Sequence, residues 1–115
     1  MMNFWKNKKV FITGIDGFVG SNLAKELIRR KAKVYGLIKR KKESLIYYEN
    51  IHKKIKLFKG NITNIKILEY IFKSKKIEIC FHLAAQVEVG KANTNPFHTF
   101  ETNIRGTYSL LDAIR

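Results

Sequence analysis

The chain alternates short β-rich apolar runs with longer stretches in which apolar residues return every third or fourth position. Val10, Phe11, Ile12 and Thr13 form the first run, which ends at Gly14. From about residue 19 to 30, Leu23, Ala24, Leu27 and Ile28 recur at helical spacing, so a helix is predicted there. Residues 34–38 read as a second strand and 55–58 as a third, closed by Gly60. The polar connection between them, 39–54, holds a candidate short helix at 45–50. Asn64 can cap a helix over 65–74 whose Ile67, Leu68, Ile71 and Phe72 share one face. Residues 77–83 are nearly continuous in apolar side chains, as in a parallel strand buried on both faces. Asn95 and Pro96 can open a last helix that is still running at Arg115. Phe97, Phe100, Ile104, Tyr108, Leu111 and Ile114 are predicted on its buried side. Strands alternating with helices imply an α/β chain with a parallel sheet and right-handed crossovers.

Composition narrows the class. A chain of 115 residues is one domain or part of one, and 45% hydrophobic residues is too many for a disordered basic tail. The one cysteine, Cys80, excludes an internal disulfide and a cysteine-cluster zinc site, which fits a reducing cytoplasm. No apolar run approaches the roughly 20 residues of a membrane span. Residues 1–10 carry three lysines and no apolar core of a signal peptide, so a cytoplasmic protein without a membrane partner is expected. The formal net charge is +14, from 23 Lys and Arg against 9 Asp and Glu. These basic residues are spread along the whole chain and accompany a general abundance of Lys, Ile and Asn. Nucleic acid is therefore not expected as a partner, although a basic surface would attract any polyanion. Arg29, Arg30 and Lys31 suit the negative end of the first helix. Cys80 reads as a core residue, and His82 and His98 have no partner that suggests metal or acid–base work. His52 lies in a polar loop, Glu88 reads as a solvated loop acid rather than one facing a substrate, and no metal site is expected.

The turn Gly14-Ile15-Asp16-Gly17-Phe18-Val19-Gly20 lies between the first predicted strand and the first predicted helix. In such a turn the first glycine lets the chain leave the strand sharply. The second lets a pyrophosphate approach the backbone, and the third lets the helix pack closely. The helix N-terminus then offers unpaired N–H groups to phosphate oxygens. Placement between strand and helix is the context that makes a glycine triplet a dinucleotide-binding signal.

Residues 13–21, Thr-Gly-Ile-Asp-Gly-Phe-Val-Gly-Ser, resemble the fingerprint of the extended short-chain dehydrogenase/reductase family, which includes the NAD-dependent epimerases and dehydratases. Three further segments resemble that family in the same order: Gly60-Asn61-Ile62-Thr63, Phe81-His82-Leu83-Ala84-Ala85-Gln86, and Thr102-Asn103-Ile104-Arg105-Gly106-Thr107 with Leu110-Leu111-Asp112-Ala113. Together they span residues 10–115. The resemblance implies a Rossmann-like three-layer α/β/α fold with strand order 3-2-1-4, here lacking later strands and a substrate domain. The whole chain, 1–115, would be one partial NAD(P)-binding domain. Gln86 makes the chain similar to the branch of nucleotide-sugar 4,6-dehydratases, such as those acting on GDP-mannose or CDP-glucose. Their chemistry is transient oxidation at C4, loss of water across C5–C6 and return of the hydride. The alternatives are a 4-epimerase or reductase of the same family, or a truncated dinucleotide-binding fragment without activity.

Carried over residue by residue, the resemblance implies that Gly14, Asp16, Gly17, Phe18, Val19 and Gly20 hold the pyrophosphate. Asn61 and Ile62 would edge the adenine, with Asn61 standing where Asp is commoner. Leu83, Ala84 and Ala85 would lie against the nicotinamide ribose, and Asn103 would help organise the cofactor side of the site. Lys39 and Arg40 follow the second strand where an acid would select NAD, so NADP is expected over NAD. No catalytic residue is assigned. The family's Tyr-x-x-x-Lys pair is expected beyond this segment, which makes the 115 residues alone inactive. Tyr35 and Lys39 match the spacing, but four residues along a strand are about 13 Å apart. In the complete enzyme, the implied partners are NAD(P), a nucleotide sugar and further copies of the same chain.

Overall fold

A computed structural model describes residues 3–38, 51–83 and 101–114. Four parallel strands, β1 (Lys9–Thr13), β2 (Lys33–Ile38), β3 (Lys56–Lys59) and β4 (Ile79–His82), lie in the order β3-β2-β1-β4. Between them run α1 (Phe18–Arg29) and α2 (Ile65–Lys75), with a short 3-10 turn at Ile51–Lys54. A wide π turn at Glu101–Arg105 leads into α3 (Gly106–Ile114). This is the expected strand order and layering. The candidate short helix at 45–50, the Asn95–Pro96 helix start, Phe97, Phe100, Gln86, Glu88 and His98 lie outside the described residues.

Side chains alternate across β1 and so build two cores. Val10 and Ile12 face α1, joining Ile15, Ala24, Leu27, Val34, Ile38 and Ile55. Phe11 faces the other way, joining Leu37, Ile62, Leu68, Ile71 and Leu110, with its ring edge-on to Phe72 at 5.3 Å. A central strand buried on both faces explains why this run carries no charged residue between Lys9 and Asp16. Asn64 caps α2 as its sequence position implies: its side-chain oxygen accepts from the N–H groups of Lys66 and Ile67 at 3.2 and 3.4 Å. The basic end of α1 is tied down by Glu26, whose carboxylate accepts from Arg29 and, at 2.8 Å, from Arg30. Those contacts lower the Glu26 pKa to about 2.

Two expectations change. The fourth strand is shorter than 77–83, and each of its four residues is only half-buried. Its apolar run reflects one neighbour, β1, and a place at the end of the sheet among the described strands. The last helix also turns a different side inward. Ile104, Leu111 and Ile114 are exposed, while Leu110 is buried and Ala113 packs beside it. A π turn holds one residue more than an α turn and so shifts the helical phase. On the inward side, Thr107 Oγ1 lies 3.0 Å from His82 Nε2 at the end of β4. No helix among the described residues is long and apolar enough to cross a membrane.

The packing around Gly20 is testable. A Cβ built there would sit 2.1 Å from the Gly14 carbonyl oxygen and 2.8 Å from Ile15 Cα, both backbone atoms with no rotamer to yield. Gly20→Ala is expected to destabilise the fold by about 3 kcal/mol, the upper end of overpacking costs. Urea denaturation measures it, and an unchanged midpoint would contradict the packing described.

Candidate dinucleotide site

The carboxyl ends of all four strands point the same way, and the strand order reverses between β1 and β4. In an open α/β sheet that switch point is where a crevice forms. β1 ends at Thr13, directly in register with Leu37 of β2 and His82 of β4. Gly14 then adopts a φ of 71°, in the left-handed region that favours glycine. Gly17 N–H donates back to the Gly14 carbonyl at 3.1 Å, closing the turn. α1 starts from an extended Gly17 with no side-chain cap and no acidic residue in its first turn. Its N-terminal N–H groups thus meet neither a capping side chain nor a first-turn carboxylate, the arrangement that accepts an anion.

The turn is fixed from below. Ile15 is completely buried, and a Cβ on Gly36 would lie 2.7 Å from its Cδ1. The missing side chain of β2 thus makes room for the one apolar anchor of the glycine turn. Sequence reasoning missed this pair, because Gly36 reads simply as a strand glycine. Above the turn, Gly17, Phe18 and Val19 are exposed and Asp16 is half-buried. A Cβ on Gly17 would meet only the Gly14 oxygen, at 3.4 Å, so its surface is open on the outer side.

Beyond β3, the Asn61 side-chain oxygen accepts from both the N–H and the hydroxyl of Thr63, each at 3.0 Å. Ile62 is buried in the core with Phe11 and Leu68. Beyond β4, Leu83 N–H donates to the carbonyl and the hydroxyl oxygen of Thr13, at 3.1 and 2.9 Å. The Leu83 side chain is exposed. Asn103 lies in the π turn, half-buried, and its carbonyl accepts from the Thr107 hydroxyl at 2.8 Å. Lys39, Arg40, Ala84 and Ala85 lie outside the described residues.

His82 is the main addition to the sequence reading. Its Nδ1 lies 2.7 Å from Thr13 Oγ1 and its Nε2 lies 3.0 Å from Thr107 Oγ1. It therefore joins β1, β4 and α3 at one point. Only the threonines four residues after Asn103 and one before Gly14 carry the signal, and neither is informative without the fold. Burial alone pushes the His82 pKa down from its ordinary value. Burial also raises the Cys80 thiol to about 11, keeping it protonated and unreactive. Among the described residues no group of His, Cys, Asp and Glu could hold a metal ion.

The parallel sheet in the order β3-β2-β1-β4 with its flanking helices defines a Rossmann-like α/β protein, and comparison with known proteins gives its family. Residues 11–115 match the family model described as GDP-mannose 4,6 dehydratase, and the chain belongs to that family. It is 35% identical to the CDP-glucose 4,6-dehydratase of Salmonella typhimurium over 98% of this chain and 32% of the relative. It is 36% identical to the dTDP-D-glucose 4,6-dehydratase of Dictyostelium discoideum, over 94% of this chain and 26% of that protein. Among solved structures it resembles the UDP-glucose 4-epimerase of Thermus thermophilus in complex with NAD. The TM-score is 0.80 at 28% identity, covering 91% of this chain and 33% of that one. The chain thus spans a quarter to a third of the length of these relatives.

A pH dependence follows from His82. The folded state holds the ring neutral to lower pH than the unfolded chain, whose histidines titrate near ~6.5. Between those two values the unfolded state binds more protons, so stability is complete above about pH 6.5 and declines as pH falls through the folded pKa. Glu26 and Glu78, whose carboxyls are held below the ordinary value of 4.5, lose their stabilising contribution only below about that pH and so do not affect this window. Urea midpoints measured at pH 7.5 and 5.5 should therefore fall with pH, and the decline should shrink in His82→Gln.

Proposed function

We propose that this chain is the cofactor-holding part of a nucleotide-sugar 4,6-dehydratase, and that it binds a nicotinamide dinucleotide across the carboxyl ends of its strands. The observation that carries this reading is the uncapped N-terminus of α1, set by Gly14 and Gly20 at the point where strand order reverses. The residues fit the group: Gly17 is open on its outer side, and the first turn of α1 brings no carboxylate to repel phosphate. The dehydratase assignment is supported by the family match and by relatives at 35% and 36% identity. A 4-epimerase is the second reading, favoured by the structural likeness to the Thermus thermophilus enzyme.

In this reading Gly14, Asp16, Gly17, Phe18, Val19 and Gly20 form the turn that holds the pyrophosphate: Gly14 and Gly20 shape it, and Gly17, Phe18 and Val19 present its exposed surface at the start of α1. Asn61 and the Ile62 backbone flank the adenine. Because both Thr63 donors occupy the Asn61 oxygen, its amide NH₂ is the group left to face a ligand. Leu83, with Ala84 and Ala85, borders the nicotinamide ribose, and Asn103 closes the same end from α3's side. When bound, the nicotinamide supplies the hydride acceptor and donor that a transient oxidation of the sugar requires. The protein's own task is to orient that ring and to keep the phosphates on α1. Lys39 and Arg40 favour NADP over NAD: Arg40 offers a planar fork for a 2′-phosphate and Lys39 a point charge. A nucleotide sugar and self-association belong to the complete enzyme in this proposal.

Gly17 is the cleanest probe, since its φ of −83° is open to any residue and a side chain there has room in the fold. Gly17→Val is expected to weaken NADH binding at least tenfold while leaving the urea midpoint nearly unchanged. Fluorescence titration reads the first quantity, and retained affinity in the folded variant would remove the turn as the phosphate site. The unmodified chain is expected to prefer NADPH over NADH in calorimetry, and Arg40→Glu to abolish that preference. Equal affinities in the unmodified chain would leave Lys39 and Arg40 without a role in cofactor choice.

A further inference from the structure

We propose that His82 is a positioning residue, fixed as its neutral Nε2–H tautomer in a one-way hydrogen-bond chain that holds the Asn103 turn against the carboxyl ends of β1 and β4. Proton counting sets the direction. The Thr107 hydroxyl has one proton, and it donates that proton to the Asn103 carbonyl at 2.8 Å. Towards His82 Nε2, 3.0 Å away, the same oxygen can only accept, so Nε2 carries the ring proton. In the neutral ring Nδ1 is then an acceptor, and the Thr13 hydroxyl at 2.7 Å donates to it. Thr13 Oγ1 in turn accepts from Leu83 N–H at 2.9 Å. Every link points the same way, from the main chain of Leu83 through Thr13, His82 and Thr107 to the main chain of Asn103.

Three features make this more than a satisfied core histidine. First, the chain crosses 70 positions between Thr13 and Leu83 and 25 between His82 and Thr107, so it ties β1, β4 and α3 together through side chains. Second, it ends at both of its extremes on backbone groups of residues assigned above to the nicotinamide end, Leu83 and Asn103. Third, it lands on Thr107, just after the π turn, a rare widened form of helix that often marks a functional place. The burial that depresses the His82 pKa keeps the ring in the neutral form the chain requires. A doubly protonated ring would donate from Nδ1 as well and reverse the Thr13 link. The consequence for cofactor affinity rests on the proposed function; the tautomer and the helix tie do not.

The experiment uses the whole chain labelled with ¹⁵N-histidine, at pH 7.5. The His82 ring, assigned by its loss in His82→Gln, should show a protonated Nε2 and an unprotonated Nδ1. A protonated Nδ1, or a ring averaging between tautomers, would overturn the proposal. Thr107→Val and Thr107→Ser are then compared by amide hydrogen exchange in α3 and by NADH titration. Thr107→Val should raise exchange in α3 and weaken NADH roughly tenfold, the scale of one lost buried hydrogen bond. Thr107→Ser keeps the hydroxyl and should restore both to within about twofold. Equal behaviour of the two variants in exchange would refute the tie. Absence of NADH binding in the unmodified chain would refute the proposed function instead, with tautomer and exchange still deciding the role of His82.

Discussion

Gly20 of α1 rests so close to the carbonyl of Gly14 that no side chain fits between helix and turn, and the rest of the site inherits its geometry from that contact. Close approach sets where α1 begins and the direction in which its N-terminus points. Gly14 can meet the helix only because its left-handed backbone swings the chain back at the end of β1. Ile15, locked beneath Gly36, prevents the turn from lifting off the sheet. Three glycines and one isoleucine therefore fix the junction of β1 and α1 and the direction of the helix N-terminus.

The sheet supplies the second half of the arrangement. β1 lies between β2 and β4, and its last residue, Thr13, sits level with the last residue of β4. That register brings the glycine turn, His82 and Leu83 to one rim. α3 reaches the same rim through Thr107 rather than through its most apolar stripe. A polar tie at this place costs little, because each of its members finds a partner, and it leaves Ile104, Leu111 and Ile114 on the outer surface.

The large positive charge plays a smaller part in the site than its size suggests. At the end of α1, where cations are favoured anyway, Arg29 and Arg30 are engaged by Glu26. Lys8 is paired with Glu78 across the start of the sheet, at the opposite end from the glycine turn. The electrostatics of the proposed phosphate site come from backbone N–H groups at α1, not from these side chains.

The strands, the first two helices, the Asn64 cap and the glycine turn were legible in the chain itself, because each depends on local periodicity or on a residue type at one position. Period-two and period-3.6 patterns survive without knowledge of neighbours, and a glycine triplet between strand and helix has few other uses. The extent of β4, the inward side of α3 and the meaning of His82 were not legible. A half-buried edge strand and a fully buried one share the same apolar run, and only the sheet order says which is present. The stripe of Ile104, Leu111 and Ile114 looks like a buried face until the π turn before α3 is known, because its extra residue shifts the helical phase. His82 gains its role from Thr13 and Thr107, 69 and 25 positions away, so its chemistry exists only once the fold has brought three segments together.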